Sequence, residues 1–300
     1  MEESGVAGPR NVTETRPFFW SVRRELWENR SIYIAPVIVA AVVLFGFLAS
    51  TAGLPERRRA VLLLDPVKTR TAIEVPYDVA AMVLIITAFI VGLFYCLDGL
   101  YGERRDRSIL FWKSLPVSDL TTVLSKATIA LVVLPLVTFA VIVATQFVML
   151  LWTSVLLISH GMSPTSTWAY FPIFQQSCIL LYGLIAVALW HAPIYGWALL
   201  VSAWARKATF LWALLPLLAV SVFEKIAFNT SYFAHMIASR FMGFAPAAFA
   251  FNPEAKESIN SMAQLTPGNY LSTPGLWFGL LFAAAFLVAA TRLRRYRGPL

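Results

Sequence analysis

The sequence predicts an all-α polytopic membrane protein with six transmembrane helices, on three observations. Hydrophobic residues make up 59% of the 300 and charged residues only 13%, against about 45–50% and about 25% in soluble domains. Mean hydropathy is +0.70, an apolar excess that a water-soluble core of this size leaves too much surface to hide. The apolar residues also come in long unbroken runs without the alternation of barrel strands. A soluble enzyme, a disordered chain and a secreted disulfide scaffold are thereby excluded. Cys96 and Cys178 sit inside apolar runs and read as inert thiols. His160, His191 and His235 are far apart, and no Cys/His grouping has zinc-ligand spacing, so no metal site is expected.

In chain order, residues 15–30 (TRPFFWSVRRELWENR) read as a helix lying along the membrane surface. Thr15 can cap it and Pro17 suits its first turn. Phe19, Val22 and Leu26 follow helical spacing, Phe18, Trp20 and Trp27 widen the apolar side, and Arg23, Arg24 and Arg30 can reach lipid phosphates. Six runs then meet the requirement of about 20 apolar helical residues for a ~30 Å hydrocarbon core. They lie at about 32–53, 79–97, 127–158, 178–204, 210–228 and 274–290. The third, as one helix, would be roughly 48 Å long, so it tilts or protrudes, and Pro135 permits a kink. The fifth is long enough only if it continues past Glu224 and Lys225 to Phe228. Those two charges either snorkel to the interface or line a substrate path. No cleavable leader is expected, because the first 17 residues are polar and the first apolar run exceeds a signal h-region. Within the outer stretch 229–273, Phe241–Phe251 (FMGFAPAAFAF) is too short to span and carries Gly243 and Pro246. It is expected to be re-entrant or interfacial.

The basic residues set the orientation. With the amino terminus inside, 16 of the 24 Lys and Arg fall in inner segments. The bias predicts both termini in the cytoplasm. It also accounts for the net charge of +8 without nucleic acid as a partner. Arg57, Arg58 and Arg59 break the rule in the first outer loop, where they are either tolerated loop charge or contacts to headgroups or a ligand.

The inner loop between spans two and three, at 99–118, is the most informative stretch. Charges are dense from Glu103 through Arg104, Arg105 and Asp106 to Arg107. Ile109, Leu110, Phe111 and Trp112 then form an apolar cluster, followed by Lys113 and a break at Ser114-Leu115-Pro116. Ser118 or Asp119 can start the next helix. A short helix with exposed aromatics beside the membrane implies either a partner surface or burial in lipid.

The run Tyr101–Ser118, with Glu103-Arg104, Arg107-Ser108 and Ser114-Leu115-Pro116-Val117-Ser118, resembles the first cytoplasmic loop of type 2 ATP-binding-cassette (ABC) exporter permeases of bacteria. That loop forms a coupling helix. The layout is similar too: a surface helix, six spans, both ends inside and a re-entrant element before span six. Many members carry Gly where Arg107 stands, a difference in local backbone freedom. The resemblance implies a dimer of this chain with a second copy or a related permease, enclosing a path. Separate ABC-type ATPase subunits would dock on the coupling helices and bind the ATP and magnesium. Glu103, Arg104, Arg105, Asp106, Arg107, Ile109, Leu110, Phe111, Trp112 and Lys113 would carry that contact, Phe111 and Trp112 as anchors and Arg104, Arg105 and Arg107 as rim charges. Arg206 and Lys207, in a two-residue inner loop, would make a smaller one.

No cofactor and no catalysis are expected in this chain. It has no G-x-x-x-x-G-K-[ST] loop to cradle phosphates, no H-E-x-x-H and no G-x-S-x-G. His191 and Gln146 are polar groups inside spans, open to structural hydrogen bonding or to contact with a substrate. The leading expectation is an exporter permease. The alternative is a non-transporting membrane assembly or sensory subunit with a permease-like fold.

Overall fold

The computed structural model describes residues 17–114, 117–250 and 259–298. Helices account for nearly all of the regular structure, and the chain is an all-α polytopic membrane protein. Six helices among the described residues are long and apolar enough to cross a membrane.

Helix α1 (Pro17–Glu28) begins on the proline expected in its first turn; Thr15, its expected cap, lies outside the described residues. Span one is α2 (Ser31–Ser50). A short helix α3 (Leu54–Val61) follows, entered through Gly53 at φ +77°, a conformation glycine adopts without steric cost. Span two is the 40-residue α4 (Pro66–Arg105), roughly 60 Å long and about twice the expected span. Its start is marked by Asp65, whose carboxylate accepts from the amides of Val67 and Lys68 at 3.1 Å each. A helix α5 (Ile109–Ser114) follows, and Leu115-Pro116, the expected break, lies outside the described residues.

Span three is one helical rod, α6 (Asp119–Thr128) and α7 (Leu134–Ser159), joined by a π-helical turn at Ile129–Val133. Ser118 caps it by accepting from the Thr121 amide at 3.0 Å. Pro135 lies just past the π turn. Its missing N–H and the crowding of its ring against Leu131 are accommodated by the widened turn, so the expected kink takes this form. Helix α8 (Thr165–Tyr170) leads to span four, α9 (Ile173–Trp204). Span five, α10 (Thr209–Phe228), runs past Glu224 and Lys225 to Phe228 as expected and ends on Asn229 at φ +51°. Helices α11 (Tyr232–Met242), α12 (Ala245–Ala248) and α13 (Pro267–Ser272) precede span six, α14 (Pro274–Tyr296).

Helices α4 and α9 form the centre of the bundle, with α2 and α7 on one side and α14 against α9 in the most extensive contact of the fold. The largest core cluster joins Tyr95 and Cys96 of α4, Ile129 and Leu134 of span three, and Tyr195 and Leu199 of α9. Helix α10 stands apart: none of its residues is buried. Helix α11 turns inward. The Phe241 ring lies 5.9 Å from that of Phe89, and the Trp190 indole donates to the Ser239 carbonyl at 3.0 Å. The segment therefore reaches the midpoints of spans two and four. It returns through α12 to Tyr182, which donates to the Ala248 carbonyl; Phe251 lies outside the described residues. Helix α1 and the last described residues share one end of the bundle, here the lower end, where Arg104 reaches the Gly298 carbonyl at 3.5 Å.

Candidate functional site

The lower end brings together both loops that the sequence singles out, with α1 and the end of α14 beside them. Helix α4 stops at Arg105, and the chain turns through Arg107, a non-glycine residue at φ +58°. Ile109 is buried at the root of α5, while Leu110 and Phe111 are each 59% exposed. The Phe111 ring meets Trp112 edge-on at 4.9 Å. Trp112 is half-buried because the Arg24 guanidinium of α1 lies 4.0 Å from its ring centre. Lys113 donates to the carbonyls of Arg295 and Arg297 at 3.3 Å, which ties α5 to the end of α14.

Behind α5 lies a buried ion cluster. Glu25 of α1 has no exposed surface. It sits 2.8 Å from the Lys126 ammonium and 2.6 Å from Arg24, and accepts from the Tyr95 hydroxyl at 2.8 Å. Lys126 also lies 3.1 Å from Glu103. Glu103 in turn pairs with Arg294 at 2.9 Å, and Arg294 reaches Asp119. Three acids and three bases thus join α1, α4, α6 and α14, with Glu28 at the exposed edge 3.7 Å from Arg24. Burial disfavours ionisation of Glu25, but the charges of Lys126 and Arg24 outweigh it and hold the carboxyl below its ordinary range. No sequence motif announces this cluster, because Glu25, Glu103, Lys126 and Arg294 are far apart in the chain.

Several expectations are corrected here. Arg104 is not a rim charge: it is 4% exposed and donates to the Ala203 and Ala205 carbonyls at 2.8 and 3.1 Å. Glu103 is committed to the ion cluster. Trp112 is covered by Arg24, which leaves Leu110 and Phe111 as the free apolar surface. Arg24 points into the protein and not toward lipid, whereas Arg23 lies over Trp20 and Trp27 on the outer side of α1. Arg105 and Asp106 pair with each other at 2.9 Å on the surface, and Arg107, Arg206 and Lys207 are exposed.

Gln146, His191 and Glu224, the candidate path residues, serve separate local contacts. Gln146 donates to the Tyr77 carbonyl at 3.3 Å, joining α7 to α4. His191 Nε2 lies 3.4 Å from the Phe241 carbonyl and its ring packs on Phe89. Glu224 accepts from the Tyr232 and Phe233 amides at 2.7 and 2.8 Å, and so caps α11. Cys96 is buried and Cys178 half-buried, both as free thiols.

No known family, curated protein or solved structure matches this chain.

Proposed function

We propose that this chain is the membrane-spanning permease subunit of an ABC exporter, with α5 as the helix that couples it to a separate cytoplasmic ATPase. The observation that carries the reading is the form taken by the Tyr101–Ser118 run. It makes a short surface helix that presents Leu110 and Phe111 outward and is tied from behind to other helices. Two exposed apolar side chains rimmed by Arg105, Arg107 and Lys113 suit insertion into a partner's cleft. Arg24 on Trp112 and Lys113 on the α14 carbonyls would pass a displacement of α5 to α1 and span six. The ion cluster would pass it on to spans two and three, because packed and ion-paired elements move as units. On this reading the lower end is cytoplasmic, α1 lies along the inner leaflet, and the chain works as a dimer with a second copy or a related permease.

The test is purification of the tagged protein from its native membranes under mild conditions, followed by assay for a co-eluting ATPase. Wild type should carry a stoichiometric ATPase, and Leu110→Ala/Phe111→Ala should lose it while keeping its elution profile, since neither side chain is buried. A wild-type protein that never carries an ATPase would turn the reading toward a non-transporting assembly or sensory subunit.

A further inference from the structure

At the opposite, upper end, helix α3 and the start of α4 line a half-open cavity of about 220 Å³ against spans one and three. Phe47, Ile73, Pro76 and Tyr77 make an apolar wall, and Arg57 and Arg58 enter from α3. Arg58 is 8% exposed, and its one hydrogen-bond partner among the described residues is the Thr167 hydroxyl at 3.0 Å. The other deeply buried cations are compensated. Lys126 and Arg294 each have two carboxylates, and Arg104 has three backbone carbonyls. Among the described residues, no carboxylate lies within 4 Å of Arg58 or of Arg57 beside it. A buried guanidinium facing a cavity with one neutral partner is an unbalanced charge, costly to keep unless something in the cavity answers it. Burial accordingly weakens the hold of Arg58 on its proton.

The segment that follows indicates what kind of anion would answer it. Leu62, Leu63 and Leu64 project after α3, Leu63 being 88% exposed, and Val67 follows at 74%. A basic helix joined to a bare leucine triplet favours the headgroup region of a bilayer over bulk water. The cavity has room for a phosphate or carboxylate and a few methylenes.

We propose that this cavity binds an anionic amphiphile, its phosphate or carboxylate held between Arg57 and Arg58 and its first methylenes against Phe47, Ile73, Pro76 and Tyr77. The site gives the arginine run of the first outer loop a ligand, and it holds whether or not an ATPase drives the chain.

The test uses the purified full chain in neutral detergent, titrated with decyl phosphate and with inorganic phosphate. Wild type should bind decyl phosphate at least about tenfold more tightly than inorganic phosphate, one decade of Kd or more. Arg57→Gln/Arg58→Gln should lose about tenfold for decyl phosphate, and Arg59→Gln should lose nothing, because Arg59 does not line the cavity. Native mass spectrometry of protein taken straight from membranes separates the sources. A phospholipid adduct present in wild type and missing from the double variant identifies a bilayer lipid. An empty wild type that still binds added decyl phosphate identifies a dissolved amphiphile. Equal binding by wild type and the double variant, or inorganic phosphate matching decyl phosphate, overturns the proposal. If the double variant does not elute as a single species, Ala72→Phe fills the cavity and keeps both arginines. It should lose about tenfold, and unchanged binding there overturns the proposal equally.

Discussion

Glu25, Lys126 and Arg107 show how single side chains bear on the lower end. Removing one partner of a buried pair leaves the other charge uncompensated, so Lys126→Met should destabilise the protein by about 3–5 kcal/mol. Glu25→Leu/Lys126→Met, which removes both, should recover much of that loss, as read from thermal unfolding in detergent. The same pair sets an acid limit. The Glu25 carboxyl is held below its ordinary value of 4.5 in the folded chain. Its contribution is therefore complete above pH 4.5 and is lost as pH falls through the lower folded value. The unfolding midpoint should decline on acidification through that window, and less steeply in Glu25→Gln; equal slopes would count against the pair. At Arg107 the left-handed backbone strains any residue with a Cβ. Arg107→Gly should raise stability by up to about 1 kcal/mol, read from thermal unfolding in detergent.

Among the elements, α9 and α14 come closest. A Cβ added to Gly196 would lie 3.2 Å from the Ala283 carbonyl oxygen and 3.3 Å from its Cα. Both are backbone atoms that cannot swing aside, so Gly196→Leu should cost about 1–3 kcal/mol or more and lower the unfolding midpoint. Leu281→Ala on α14, at a position 66% exposed, should have little effect. The spans were legible because transfer into hydrocarbon depends on a local window of residues. The end of α10 at Phe228 and the Ser118 cap follow from such local signals. The length of α4 was not legible, since its first turns are polar and stand outside the apolar stretch. They are held from a distance, by Arg70 donating to the Asn260 carbonyl at 3.2 Å. The capping of α11 by Glu224 and the covering of Trp112 by Arg24 escaped for the same reason: their partners are fixed by tertiary packing, and local propensity carries no trace of them. At the candidate site, the exposed α5 tip could be read from the run of residues, and the ion cluster behind it could not.

For the whole molecule, the two ends differ in kind: a paired ion cluster and α5 below, and above an arginine pair with no carboxylate partner among the described residues. If the lower end is cytoplasmic, a cysteine at Arg59 should react with an impermeant maleimide in intact cells. One at Lys113 should react only after the membrane is opened, with Cys178 replaced as background; the reverse pattern would invert the topology. The ion cluster also bears on how the protein is made. Glu25, Glu103 and Asp119 leave the ribosome long before Arg294, so until span six is inserted the half-built bundle carries more buried acid than base. Span six supplies the missing positive charge, and with it the lower end closes. A nascent chain stalled short of Arg294 would keep Glu103 and Asp119 without that counter-ion and stay loosely packed, an open state that membrane proteases can recognise. The pairing of Arg294 with Glu103 and Asp119 thus makes insertion of span six a condition for the native packing of the spans synthesised before it.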